Sequence, residues 1–99
     1  MKPQELYKLI QNKLGVSKIK NTARIDNVAH IWCRAIFCRI AKDDFLIRSD
    51  DIGDVIGRDA SSVNNDIRNL KRLRHESDFI SKAIVRDYER VRAEVLDEG

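Results

Sequence analysis

Apolar residues recur along this chain at intervals of three and four, and alternation of apolar with polar residues is nearly absent. Intervals of three and four place side chains on one face of an α-helix, whereas half-buried strands need alternation. The chain has one proline, Pro3, and four glycines, so the helical pattern meets few interruptions. The pattern therefore predicts a single all-α domain of five or six helices over residues 1–99.

The first two helices follow from the apolar spacing and its breaks. A helix over residues 3–14 has proline in its first turn and Gly15 at its end. A second over residues 26–42 is expected to form the centre of the core. Its apolar stripe comprises Ile25, Val28, Ala29, Trp32, Ile36 and Ile40, with Cys33 and Phe37 beside it. Residues 45–48 after it fit either a loop or one further helical turn.

Three more helices complete the prediction. Ser49 is the expected N-cap of a short third helix that ends at residue 56. A fourth helix, over residues 59–74 and capped by Asp59 or Ser61, should bury Val63, Ile67 and Leu70. The last, over residues 77–96, should bury one line of side chains: Ile80, Ile84, Tyr88, Val91 and Val95.

Charge is distributed unevenly along the chain, although its net value is only +3. Residues 18–74 hold twelve basic and eight acidic residues, while residues 75–99 hold four basic and seven acidic ones. This asymmetry permits a nucleic-acid-binding face away from the last helix. A content of 42% hydrophobic and 35% charged residues fits a folded domain better than a disordered chain.

The sequence predicts no metal, no cofactor, no membrane span and a reducing, cytoplasmic location. Cys33 and Cys38 lie five residues apart, which is about 140° around one helix, so a disulfide between them is not expected. The possible ligands His30, Cys33, Cys38 and His75 diverge too much for tetrahedral zinc, and we interpret the cysteines as core residues. The aspartates near helix ends fit the helix dipole and solubility better than acid–base catalysis.

The segment 52–63 is the most informative one, since a short helix, a glycine turn and a second helix follow one another there. It runs Ile-Gly-Asp-Val-Ile-Gly-Arg-Asp-Ala-Ser-Ser-Val. This resembles the signature of the C-terminal DNA-binding domain of DnaA, the bacterial chromosomal replication initiator, and Leu14-Gly15-Val16-Ser17 resembles that family's Phe-Gly-Val-Ser. The resemblance implies a helix-turn-helix fold similar to that of the Trp repressor. Ala60 stands where the family has a base-reading histidine, so we expect a different recognition sequence.

Double-stranded DNA is thus the expected partner, in control of transcription or replication in a bacterium, plasmid or phage. The fourth helix would enter the major groove, where small polar side chains meet base edges and cations meet phosphates. The resemblance also places the basic connector before the second helix near the minor groove. The expected DNA contacts are Lys18, Lys20, Arg24, Arg58, Asp59, Ala60, Ser61, Ser62, Asn64, Asn65, Arg68, Lys71 and Arg72.

Other hypotheses remain open at this point. The chain could be a protein-interaction module that keeps the fold without binding DNA, and a mixed or apolar face would favour that. A metal-dependent enzyme would require carboxylates converging in a cleft. Asp59 fits a helix cap better than a base contact. The last helix could pack on the core, or its apolar seam could pair with a second copy to form a homodimer.

Overall fold

The computed structural model describes residues 1–15 and 24–98, and of residues 24–30 the backbone alone. All regular structure in these ranges is helical, as predicted. The elements are α1 (Pro3–Leu14), α2 (Arg24–Asp43), α3 (Ser49–Ile56), α4 (Ala60–Arg72), a 3₁₀ helix (Leu73–His75) and α5 (Phe79–Glu98).

The two glycines predicted to stop helices do so. Gly15 (φ 74°) ends α1 and Gly57 (φ 70°) ends α3, both in the left-handed region that favours glycine. Residues 45–48 form a loop, within which Leu46 has a φ of 54°.

Several predicted helix ends are wrong by one or two residues. Helix α2 begins at Arg24, which the sequence assigned to the basic connector. Ser49 is the first residue of α3 and not its cap, because its hydroxyl bonds to side chains of neighbouring helices. Helix α4 ends at Arg72, and residues 73–75 tighten into the 3₁₀ turn. Helix α5 begins at Phe79, because the Asp78 carboxylate accepts a hydrogen bond from the backbone N–H of Ser81 (3.0 Å).

Helix α2 is the centre of the fold, as predicted, and packs against α1, α3, α4 and α5. Phe37 is fully buried, and its ring lies 4.7 Å from that of Tyr7. Cys33 and Cys38 are free and buried, and burial raises the pKa of each thiol to about 12, which keeps both protonated at neutral pH. Helix α4 contributes the predicted Val63, Ile67 and Leu70 to this core. The predicted stripe residues Ile25, Val28 and Ala29 have side chains outside the described part.

Helix α5 places its apolar seam on the protein's own core. Tyr88, Val91 and Val95 are buried, and Ile84 is half-buried against them. The prediction for Ile80 is wrong: this side chain is 68% exposed, while Ser81 is buried in its place. At about 100° per residue, Ile80 and Ser81 lie about equally far, on opposite sides, from the line of buried residues that follows, so packing against neighbouring elements decides which of the two is buried. These side chains are thus packed within one chain, and the predicted homodimer through the last helix stays a prediction.

Helix α5 packs chiefly against α1, α2 and the 3₁₀ helix, and its contacts with α4 are minor. The side of α4 that faces away from α2 is left exposed by the elements of residues 1–15 and 24–98. In the described ranges, none of the helices has both the length and the apolar character needed to cross a bilayer.

Candidate nucleic-acid interface

Helices α3 and α4 meet at a tight turn built on Gly53. The backbone N–H of Arg58 donates to the Gly53 carbonyl (2.9 Å), which folds the turn back onto α3. Gly53 is buried, and a Cβ on it would lie 2.2 Å from the Arg58 carbonyl oxygen. Only glycine allows the backbone to come this close. The close approach of the turn to α3 therefore explains the glycine in the first Ile-Gly of the motif.

Asp59 caps α4, which agrees with the interpretation the sequence favoured. Its Oδ1 accepts a hydrogen bond from the backbone N–H of Ser62 (2.8 Å), and this bond is the main reason that the pKa of Asp59 is lowered. The carboxylate satisfies an N–H that helical geometry leaves without a partner. Asp59 and Ser62 are thus engaged with each other at the start of the helix, and Ala60 beside them is half-buried.

The uncovered side of α4 carries one aligned stripe of polar side chains. On a helical wheel with about 100° per residue, four positions of α4 lie opposite its buried residues. Along the chain, successive positions of this group are four, three and four residues apart. These four residues are all exposed, and we call them the α4 stripe: Ser61, Asn65, Arg68 and Arg72. A shallow concavity of about 510 Å³ runs along the first part of the stripe. Its lining is Asp59, Ser61, Ser62, Asn64, Asn65 and Arg68.

The stripe has a chemical order along the helix. Its N-terminal half offers a hydroxyl and a carboxamide, which donate and accept hydrogen bonds, and its C-terminal half offers two guanidinium groups. Arg58 lies exposed in the turn before the helix and takes part in no ion pair between described residues. The arrangement therefore places neutral hydrogen-bonding groups between cations at both ends.

Two of the predicted contacts turn away from the stripe. Asn64 Oδ1 accepts hydrogen bonds from Ser49 Oγ (3.0 Å) and Lys42 Nζ (3.2 Å), so its amide is held against α2 and α3. Lys71 Nζ lies 3.6 Å from an Asp43 carboxylate oxygen, which draws it to the same side. Both positions lie about 60–90° from the stripe, towards neighbouring helices, and their DNA contacts stay a prediction.

Lys42 is a cation of this region that sequence reasoning missed. It lies in the last turn of α2, and its ammonium donates to Ser49 Oγ as well as to Asn64. This places one positive charge beside the N-terminal half of α4, where few other described cations lie. No sequence motif marks Lys42; only the packing of α2 on α3 and α4 brings it here.

The remaining predicted contacts lie in the basic connector. Lys18 and Lys20 are outside the described residues. Arg24 is placed as the first residue of α2, and its side chain is outside the described part. The predicted contact between this connector and a minor groove therefore stays a prediction.

A buried ion pair fixes α4 to α2. Arg34 Nε lies 3.3 Å from Asp66 Oδ2, and the Asp66 side chain is only 9% exposed. Asp66 is on the inner side of α4, among its apolar residues. This contact joins α4 to α2 on the same side as the buried Val63, Ile67 and Leu70, opposite the α4 stripe.

A second polar cleft, of about 400 Å³, lies near α2 and α5. Two of its carboxylates are paired: Asp44 binds Arg92 through two hydrogen bonds (2.9 and 3.0 Å), and Asp43 lies 3.8 Å from Arg39 Nε. The Arg39 guanidinium also stacks on Tyr88 at 4.3 Å. Among the described side chains, no three His, Cys, Asp or Glu residues group closely enough to hold a metal ion.

Replacing Asp59 with alanine should lower the urea midpoint of unfolding at neutral pH, because the Ser62 N–H loses its acceptor. The pKa of Asp59 in the folded protein lies below the ordinary value of 3.8. The stabilisation by the capping hydrogen bond is therefore present above the ordinary pKa and is lost as the pH falls through the folded-state pKa. The midpoints of the protein and of Asp59→Ala should therefore converge in acid. Asp54→Ala, which removes an exposed carboxylate without a capping bond, is the control; an equal effect there would contradict the capping role.

Comparisons with protein-family models, with curated proteins and with solved structures return no match.

Proposed function

We propose that this protein binds double-stranded DNA through α4, in a helix-turn-helix fold of the kind found in the Trp repressor and in the DnaA C-terminal domain. The observation that carries the proposal is the α4 stripe. A recognition helix needs an uncovered face with short hydrogen-bonding side chains near its N-terminus and cations flanking them. Ser61 and Asn65 would contact base edges, and Arg68 and Arg72 would contact phosphates.

Cations on both sides of the stripe support this orientation. Arg58 precedes α4 and Lys42 lies beside its N-terminal half, so phosphates on either side of a major groove would meet positive charge. Asn64 would then act by holding Lys42 and not by contacting a base. In this role the protein would control transcription or replication at the sites it selects.

One observation favours the alternative, a protein-interaction module. Asp50, Asp51 and Asp54 are exposed on α3, and carboxylates repel DNA phosphates. A basic protein partner would instead be attracted to them. Binding of a duplex separates the two hypotheses, because only DNA binding predicts it, with an affinity that falls with salt as counterions leave the phosphates.

The test begins with selection of bound sites from random duplexes, followed by anisotropy titrations of the selected duplex at several salt concentrations. Four phosphate contacts, from Lys42, Arg58, Arg68 and Arg72, should give a slope of log affinity against log salt of about −4. Arg68→Ala should make the slope less negative by about 1. Lys8→Ala is the matched control, since this exposed lysine lies on α1, away from the stripe. A slope near zero for the unaltered protein would contradict DNA binding.

Base recognition is tested separately at Ser61. If its hydroxyl contacts a base, Ser61→Ala should change the preference at one base pair by about 1–3 kcal/mol and leave the salt slope unchanged. The measurement is a comparison of affinities for duplexes with single base-pair changes. The same preferences for both proteins would show that Ser61 does not contact a base.

A further inference from the structure

Helix α4 carries two successive asparagines whose surroundings differ. Asn64 Oδ1 accepts hydrogen bonds from Ser49 Oγ and Lys42 Nζ, so this carboxamide is engaged inside the protein. Asn65 is exposed, and among the side chains that the structure describes none forms a hydrogen bond with it. The Asn65 carboxamide therefore keeps both its N–H donors and its carbonyl acceptor available to a ligand.

Asn65 points away from the core of the protein. Val63 and Ile67, two residues before and two residues after it, are both buried, and each lies about 160° from Asn65 on a helical wheel. Asn65 lies between Ser61 and Arg68 on the α4 stripe, and all three line the same concavity. A molecule bound in this concavity would therefore contact the Asn65 carboxamide.

The carboxamide of an asparagine distinguishes the four bases in a major groove. It presents a donor and an acceptor side by side, and adenine presents the complementary pair, its N7 acceptor and its N6 amino donor. Guanine offers two acceptors, cytosine a single donor, and thymine a single acceptor beside a methyl group. Only adenine therefore satisfies both groups of one carboxamide at the same time.

We propose that Asn65 is the residue through which this protein selects an adenine, its N–H donating to N7 and its carbonyl oxygen accepting from the N6 amino group. This inference rests on the proposed DNA binding and names the base that the site takes. The other stripe residues do not supply the same selectivity. A serine hydroxyl can donate to or accept from several bases, and phosphates are the same at every base pair. The sites bound with highest affinity should therefore share an adenine at one fixed position.

The first measurement compares the unaltered protein with Asn65→Ala. Sites are selected from random duplexes with the unaltered protein, and anisotropy titrations then give its affinities for duplexes with every single base-pair change. At one position the unaltered protein should prefer adenine by about 5- to 100-fold, and Asn65→Ala should lose this preference alone. The slope of log affinity against log salt should stay the same, because no phosphate contact is lost.

Asn64→Ala is the matched control, since it removes the same type of side chain one position earlier on the same helix. The Asn64 carboxamide is held by Ser49 and Lys42, so this change should alter the affinity for all duplexes alike and keep the adenine preference. Circular dichroism checks that both variants keep their helix content. Equal loss of the preference in both variants would show that it depends on the local structure of α4, and would overturn the role of Asn65.

Adenine analogues test the two hydrogen bonds one at a time. 7-Deazaadenine lacks the N7 acceptor, and N6-methyladenine blocks the amino donor that faces the groove. Each analogue at the preferred position should weaken binding of the unaltered protein by about 2- to 10-fold, and neither should weaken binding of Asn65→Ala. An equal effect on both proteins would contradict the contact.

Failure of this inference can be distinguished from failure of the proposed function. A protein that binds duplexes but prefers another base at the position affected by Asn65→Ala would overturn the adenine contact and leave DNA binding intact. The same holds if Asn65→Ala leaves the base preferences unchanged at every position. A protein that binds no duplex at any salt concentration would overturn both.

Discussion

Replacing Gly53 with alanine is expected to lower the free energy of unfolding by about 3 kcal/mol or more. The added Cβ would lie 2.2 Å from the Arg58 carbonyl oxygen, and neither group can move freely. Gly53 is buried within α3, and Arg58 is tied to it by the hydrogen bond between the Arg58 N–H and the Gly53 carbonyl. The turn must therefore open, and equilibrium unfolding in urea measures the cost.

Gly57→Ala is the matched control, four residues further along the chain. Gly57 also has a special conformation, with a φ of 70°, but a Cβ there would meet nothing within 4 Å. Its replacement should cost only the strain of a left-handed residue, about 1 kcal/mol. Equal losses for the two variants would show that the contact between Gly53 and Arg58 does not limit the turn. Opening of the turn should also tilt α4, so Gly53→Ala should weaken any duplex binding by the folded protein.

The helices could be predicted from the sequence wherever a local cause fixes them. Pro3 and Gly15 bound α1, Gly57 ends α3, and Asp59 starts α4, because each acts on its own backbone or on the next few residues. The apolar spacing of α2 and α4 likewise identified their buried sides. Such features need no knowledge of the neighbouring helices.

Prediction failed where a neighbouring helix decides the outcome. Ser49 has the right chemistry for an N-cap, but its hydroxyl bonds to Lys42 and Asn64 from two other helices. Ile80 continues the apolar spacing of α5, but no helix covers it at that end. Ser49 is compatible with a cap or with a contact between helices, and Ile80 with a buried or an exposed position. Contacts with neighbouring helices determine which of the two occurs.

The candidate site divides in the same way. A helical wheel is enough to align Ser61 with Arg68 once the buried side of α4 is known. The wheel gives no information on Lys42, which comes from α2, or on Asn64, whose partners come from α2 and α3. The helical pattern of α4 alone thus aligns the residues of the α4 stripe, whereas the positions of Lys42 and Asn64 require the tertiary structure.

The ion pair between Arg34 and Asp66 joins α2 to α4, so Arg34→Met should lower the free energy of unfolding by about 3 kcal/mol. The substitution keeps most of the aliphatic volume but leaves the Asp66 carboxylate buried without its 3.3 Å partner. The combined variant R34M/D66L removes both charges and should recover most of the loss, because the cost comes from the unpaired charge. Urea unfolding of the four proteins in this double-mutant cycle gives the coupling energy. If R34M/D66L is as unstable as the sum of its single variants predicts, the two side chains make no joint contribution to stability.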